Sequence, residues 1–255
     1  MGIDQLYETW VNIPKADLGF FQDAFLKFYR AWFMEDRWMQ YFKGLGMTIQ
    51  LTVIALCIGV FLGLLVATVR TAHDQQRPGH RNPLLGVVNI ICRIYVTVIR
   101  GTPMLVQLMI MGLVIFATSR DLTMVGALTL GINSGAYVAE IIRGGLMSLD
   151  PGQMEAGRSL GLGYLDTMRF IVIPQAFKAI LPALGNEFIV LLKDTSLISV
   201  ISGKEIIYFA QAISSKTYEA MYPLLIAAAM YLIMVLIFTW LQGKLERRLR
   251  QSDRR

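Results

Sequence analysis

Few residues in this chain have the types and spacing that chemistry requires. Gly157-Arg158-Ser159-Leu160-Gly161 matches the Gly-x-Ser-x-Gly string in which a serine acts as nucleophile. That use needs a strand-to-helix elbow and a histidine base within reach. The only histidines, His73 and His80, stand in a different loop, and the surroundings of Ser159 read as helix. An integral-membrane serine hydrolase is therefore a minor alternative. Cys57 and Cys92 sit in apolar surroundings at different depths, which points to buried thiols and away from a disulfide or metal site.

Charged and polar residues inside apolar segments say more, because each costs free energy unless it is paired or faces water. Glu187 stands beside Asn186, and Lys193 with Asp194 follows about two turns later. Arg100 precedes Gly101, Thr102 and Pro103, where a helix loses a backbone hydrogen bond. Freed backbone groups are tolerated at membrane depth where they are buried in protein or line a wet cavity. One reading is a polar pocket or pathway built from the second and fourth spans. The other is a set of ion pairs that only fixes packing. Lys193 and Asp194 read as a mutually compensating structural pair.

The elements that must position these residues are membrane helices. Hydrophobic residues make up 55% of the 255 and charged residues 16%, with mean hydropathy +0.52. No charge occurs between Lys43 and Arg70 or between Glu219 and Lys244. Each gap exceeds the ~20 residues that cross ~30 Å of hydrocarbon as a helix. Shorter charge-free runs lie between Arg100 and Arg120 and between Asp121 and Glu140. A fifth block, about residues 180–201, is interrupted by Glu187, Lys193 and Asp194. Five spans are expected in an all-α integral membrane domain over 44–242. An N-terminal extension (1–43) precedes it and a basic tail (243–255) follows.

Positive charge sets the orientation. Arg70, Arg77 and Arg81 follow the first span; Arg143, Arg158, Arg169 and Lys178 lie around the long polar loop; Lys244, Arg247, Arg248, Arg250, Arg254 and Arg255 crowd the C-terminus. An outside N-terminus and a cytoplasmic C-terminus follow. The net charge of +6 then belongs to the cytoplasmic membrane face, with no nucleic-acid partner implied. The first residues lack a basic n-region and an apolar h-region, so no cleavable signal is expected. Phe21, Phe25, Phe28 and Trp32 recur at helical spacing. They predict an amphipathic helix, either lying on the outer leaflet or packed on its own bundle.

The polar segment 153–176 is the longest break between apolar blocks. Asp150 suits a helix N-cap, Pro151 the first helical position, and Gln153 the capping-box partner. Glu155 falls in the first turns, where the macrodipole favours negative charge. Ala156 and Gly157 let another surface approach closely. Gly161 and Gly163 turn the chain before a second helical piece, 164–173, that ends near Pro174.

Glu155, Ala156, Gly157 and Gly161, followed by Ile171, Ile173 and Pro174, resemble the EAA loop of ABC-transporter permease subunits. Gly157 replaces the usual third alanine. IRGTPMLVQL (99–108), GAYVAEIIRGG (135–145) and LKDTSLISVI (192–201) are similar to the polar amino-acid uptake permeases of the histidine/glutamine/arginine type. The resemblance implies the type I importer permease fold in the bacterial inner membrane, with a cytoplasmic coupling helix carrying Glu155, Ala156, Gly157, Ser159, Leu160 and Gly161. It implies a second permease subunit, identical or homologous, a dimeric ATPase that binds ATP with magnesium, and an extracytoplasmic solute-binding protein. The permease itself does no covalent chemistry. The resemblance also implies a substrate pocket around Glu187 and Asn186, where a buried carboxylate could hold a cationic amino acid; Arg100 and Thr102, at the polar break before Pro103, are the other substrate-binding candidates. A secondary transporter or channel is the main rival, and the chain shows no inverted repeat of the kind that class uses.

Overall fold

The structure, a computed structural model, describes residues 2–76, 82–150 and 152–252. Arg77, His80, Arg81, Pro151, Arg254 and Arg255, singled out above, lie outside the described residues. Those described are helical, with no strand among them. Two short helices, α1 (Ile3–Val11) and α2 (Phe20–Trp32), lead into α3 (Arg37–Asp74). Then come α4 (Pro83–Gly101), α5 (Met104–Met109, continued by a π turn Ile110–Ile115) and α6 (Leu122–Met147). The polar segment holds α7 (Gly152–Ser159) and α8 (Tyr164–Thr167). A π turn, Met168–Val172, joins α8 to α9 (Ile173–Asp194), and a 3₁₀ segment runs over Thr195–Ile201. The chain ends with α10 (Ile206–Thr217) and α11 (Met221–Ser252).

Among the described residues, five helices are long and apolar enough to cross a membrane: Met34–Asp74, Pro83–Gly101, Leu122–Met147, Tyr164–Ile201 and Met221–Leu249. The expected number of crossings holds, but two of them lie elsewhere than expected. The second span is Pro83–Gly101, which contains Arg93, and not the charge-free run 101–119. Thr102, before Pro103, is extended at φ −118° and ψ 145°, as the proline ring requires, and so breaks that run into the shorter helix Met104–Ile115. The fourth span begins near Tyr164, ahead of residue 180. Pro174 does not close a helix; it stands in the first turn of α9 directly after the π turn Met168–Val172, and the chain stays helical across it.

The bundle is organised on α6, 61% buried over its span, whereas α4 is 11% buried. Small residues let side chains of α3 and α6 press against the facing backbone. A Cβ added at Gly63 would lie 2.6 Å from Val138 Cγ1, and one at Gly131 2.6 Å from Ile58 Cβ. Close approach of this kind replaces the hydrophobic drive that lipid cannot supply. Cys57 is exposed on α3 and Cys92 half-buried. The expected burial fails for Cys57 because it faces outward from the bundle.

The N-terminal amphipathic helix is α2, preceded by the unanticipated α1. Leu26 and Ala31 of α2 are buried, Phe20 and Phe21 stand 81% and 84% exposed, and Trp32 stacks on Tyr41 at 5.6 Å. Lys27 reaches Glu219 at 3.6 Å, tying the extension to the turn before α11.

Candidate functional site

Two places carry the residues singled out by the sequence. The first is α7. Asp150 Oδ1 accepts from the Gly152 N–H at 2.8 Å, so the expected N-cap forms. Gln153 does not complete a capping box; its Oε1 accepts from Gln175 Nε2 at 3.0 Å, pinning α7 to α9. At the other end the Gly161 N–H bonds the Arg158 carbonyl (2.9 Å) and the Leu162 N–H the Gly157 carbonyl (3.0 Å). These two bonds are the paired closure that a left-handed residue makes at a helix end, and Gly161 has φ +79°. A glycine four residues after Gly157 is thus a requirement of the turn.

Along α7, Glu155, Ala156, Ser159 and Leu160 are exposed, Leu160 by 77%. Gly157 is buried, against expectation, by its own chain. A Cβ there would lie 2.4 Å from Thr167 Cγ2 and 2.6 Å from Thr167 Oγ1. The close approach at Gly157 is made by α8, and the outward face is left to its neighbours. Ser159 Oγ donates to the Glu155 carbonyl at 3.0 Å from a helix end, while the His73 ring lies 3.4 Å from Asp74. No nucleophile elbow is present among the described residues.

The second place is the break between α4 and α5. Gln107 Nε2 donates to the Ile99 carbonyl (2.8 Å), the Thr102 carbonyl (3.2 Å) and Thr102 Oγ1 (2.8 Å). Gln107 Oε1 accepts from Asn133 Nδ2 at 2.9 Å. One amide side chain therefore satisfies the Ile99 carbonyl that Pro103 leaves free, takes the Thr102 carbonyl as a second partner, and ties the break to α6. Arg100, with 44% of its side chain exposed, lies 5.2 Å over the Tyr137 ring and 4.0 Å from Glu140 Oε2. Glu140 also pairs with Arg70 and, at 3.1 Å, with Arg143. Arg70 and Arg143, counted above as loop charges, belong instead to α3 and α6. Arg70, Arg93, Arg100 and Glu140 border a cavity of about 250 Å³.

Glu187 stands apart from this break. It is 8% exposed, and its Oε1 accepts from Ser134 Oγ at 2.7 Å, where α9 meets α6. Asn186 is exposed, because adjacent helical residues point about 100° apart. Glu187 and Arg100 touch different residues of α6, and no hydrogen bond or ion pair joins them. Lys193 and Asp194 likewise form no ion pair within 4 Å; Lys193 is exposed and Asp194 half-buried. Gln107, Asn133 and Glu140 were not singled out by the sequence reading. A Gln and an Asn inside charge-free apolar runs are the signal that could have found the first two.

Comparison with known proteins gives the family and the fold. The family described as "Binding-protein-dependent transport system inner membrane component" matches residues 82–251. The arginine transport system permease protein ArtQ of Bacillus subtilis (strain 168) is 34% identical over 214 residues, covering 83% of this chain and 93% of ArtQ. The glutamine transport system permease protein GlnP of Escherichia coli (strain K12) is 34% identical over 212 residues, covering 82% and 92%. Among solved structures, an amino acid ABC transporter with histidines is 43% identical with TM-score 0.73, over 82% of this chain and 94% of that one. The inward-facing MetNI methionine ABC transporter is 16% identical with TM-score 0.69, a likeness of fold alone, over 84% and 98%.

Proposed function

Because the chain belongs to the family of binding-protein-dependent transport system inner membrane components, we propose that it is the membrane-spanning permease of an ATP-driven importer of a polar amino acid. Arginine and glutamine permeases among its relatives, and the amino acid transporter it resembles in fold, support that substrate class. Such a component is not itself an enzyme; ATP, with magnesium, is hydrolysed on a partner ATPase, and a solute-binding protein delivers the substrate. A second permease, identical or homologous, completes the pathway. The observation that carries the reading is α7, a short helix capped at both ends whose Glu155, Ala156, Ser159 and Leu160 face outward while Gly157 locks it onto α8. A rigid exposed helix is what a coupling element needs, since it must pass a push from the ATPase into the bundle without unfolding.

The basic residues around this element and along α11 assign it to the cytoplasmic side, with α1 and α2 outside. We read Arg100, Thr102 and Asn186, all three exposed, as the residues that face the pathway. Glu187, apart from the break, holds α6 through Ser134, and its carboxylate favours a cationic substrate. The test is reconstitution. Co-expressed with its neighbouring ATPase and binding protein, the chain should co-purify with the ATPase and take up labelled amino acid only with ATP inside. Uptake by the chain alone in proton- or sodium-loaded vesicles would overturn the reading. In the intact complex, Glu187→Gln should abolish or re-order amino-acid preference while leaving ATPase co-purification unchanged; transport at the original rates would remove Glu187 from the pathway.

A further inference from the structure

Arg93, Thr97 and Arg100 recur at i, i+4 and i+7 and share one face of α4. Arg93 is exposed eleven residues into a 19-residue span, and among the described residues it makes no hydrogen bond or ion pair. A guanidinium in that position is costly unless it meets water or an anion. Nearby, one carboxylate serves three cations: Glu140 Oε1 faces Arg70, and Oε2 lies 3.1 Å from Arg143 and 4.0 Å from Arg100. Arg70, Arg93 and Arg100 against Glu140 give the lining of the cavity of about 250 Å³ a formal excess of two positive charges, and Arg143 pairs with the same carboxylate. Arg93 and Thr97 also line an adjoining space of about 360 Å³ whose remaining walls, Ile90, Ile94 and Val98, are apolar.

We propose that this cavity binds an anionic oxygen group, held between the guanidinium groups of Arg93 and Arg100, with the apolar part of the same ligand beside Ile90, Ile94 and Val98. Guanidinium donors match carboxylate and phosphate oxygens in planar pairs. Two sources present that chemistry. One is the α-carboxylate that every transported amino acid carries, a source that rests on the importer reading above. The other is the phosphate of an anionic phospholipid. Glu140 would keep Arg70 and Arg143 occupied, so that Arg93 and Arg100 remain available to the ligand.

The test uses the whole permease–ATPase complex in nanodiscs of phosphatidylcholine, with or without phosphatidylglycerol, and compares it with Arg93→Gln and Arg93→Lys. Arg93 makes no hydrogen bond or ion pair among the described residues, so neither change should prevent assembly. Arginine and glutamine, and their carboxamide derivatives, are titrated calorimetrically without binding protein, and retained lipid is counted by native mass spectrometry. If the anion is the substrate carboxylate, Arg93→Gln weakens amino-acid binding about tenfold, one charge-assisted hydrogen bond. The carboxamides then bind wild type equally poorly, and Arg93→Lys restores part of the loss. If the anion is lipid phosphate, Arg93→Gln lowers retained phosphatidylglycerol and leaves phosphatidylcholine unchanged. Variants that match wild type in both arms would overturn the site, whether or not transport is lost. Failure of the importer reading would instead show in the wild type, as absent ATP-driven uptake.

Discussion

Glu205 holds the N-terminus of α10 and is fully buried, outside the spans. Its carboxylate accepts from the Tyr208 and Ile207 N–H groups, both at 2.8 Å, and from the Tyr231 hydroxyl at 2.6 Å. Those donors favour the charged form and burial opposes it. Burial wins, and the carboxyl is pushed from its ordinary 4.5 up to about 7. Because the folded-state value is the raised one, the native protein keeps a proton that the unfolded chain releases between these two values. The contribution to stability is therefore fully present below about pH 4.5 and is lost as pH rises through about 7. A difference of 2.5 units (7 − 4.5) corresponds to something on the order of 3 kcal/mol. Thermal unfolding of the detergent-purified chain should show a higher Tm at pH 5.5 than at pH 8, and Glu205→Gln should flatten the profile. Identical slopes for the two proteins would count against this assignment. The sequence did not single out Glu205, because its burial comes from α11, far along the chain. Arg70, Glu140 and Arg143 were hidden for the same reason: counting charges between spans assigns them to loops, and only the meeting of α3 with α6 pairs them.

At the scale of the element, α7 was legible and its surroundings less so. Asp150 and Gly161 act through bonds to residues one turn away, and local bonds can be read from local order. Gly157 is different, since its neighbour Thr167 lies across a turn. As a third small residue it would read as interchangeable with alanine. The 2.4 Å approach of an added Cβ to Thr167 Cγ2 shows that alanine does not fit here without a shift. Gly157→Ala should therefore push α7 off α8, at a cost of about 1–3 kcal/mol typical of overpacking. In the reconstituted complex it should cut ATP-dependent uptake while the chain still inserts in the membrane. Adding Thr167→Ala removes the opposing methyl and hydroxyl and should restore most of the loss. A double variant no better than Gly157→Ala would show that the contact is not the cause. The misplaced second span has a physical reason as well. Arg93 interrupts an apolar pattern that is otherwise clear, and Pro103 breaks a run that composition alone would accept.

At the scale of the whole molecule, the N-terminal extension is joined to the bundle by packing as much as by chain continuity. Leu26 lies buried on α2, and Ala31 belongs to the same apolar cluster as Tyr41, Ile206, Ile213, Ala227 and Met230. That cluster draws on α2, α3, α9, α10 and α11, so α2 packs into the same apolar core as the helices that follow it. The helix α1 adds mainly ring contacts, with Tyr7 stacked on Tyr29 at 4.2 Å and Trp10 edge-on to Phe25 at 5.2 Å, and buries no residue of its own. Truncations should therefore separate the two helices. Removing residues 1–19 takes away α1 and should lower Tm slightly while leaving ATP-dependent uptake near wild type. Removing residues 1–33 uncovers Tyr41 and Ile213, exposing apolar area worth about 25 cal/mol per Å², and should lower Tm sharply in the purified complex. Equal melting of the two truncations would mean that α2 rests on the membrane surface and carries no part of the core.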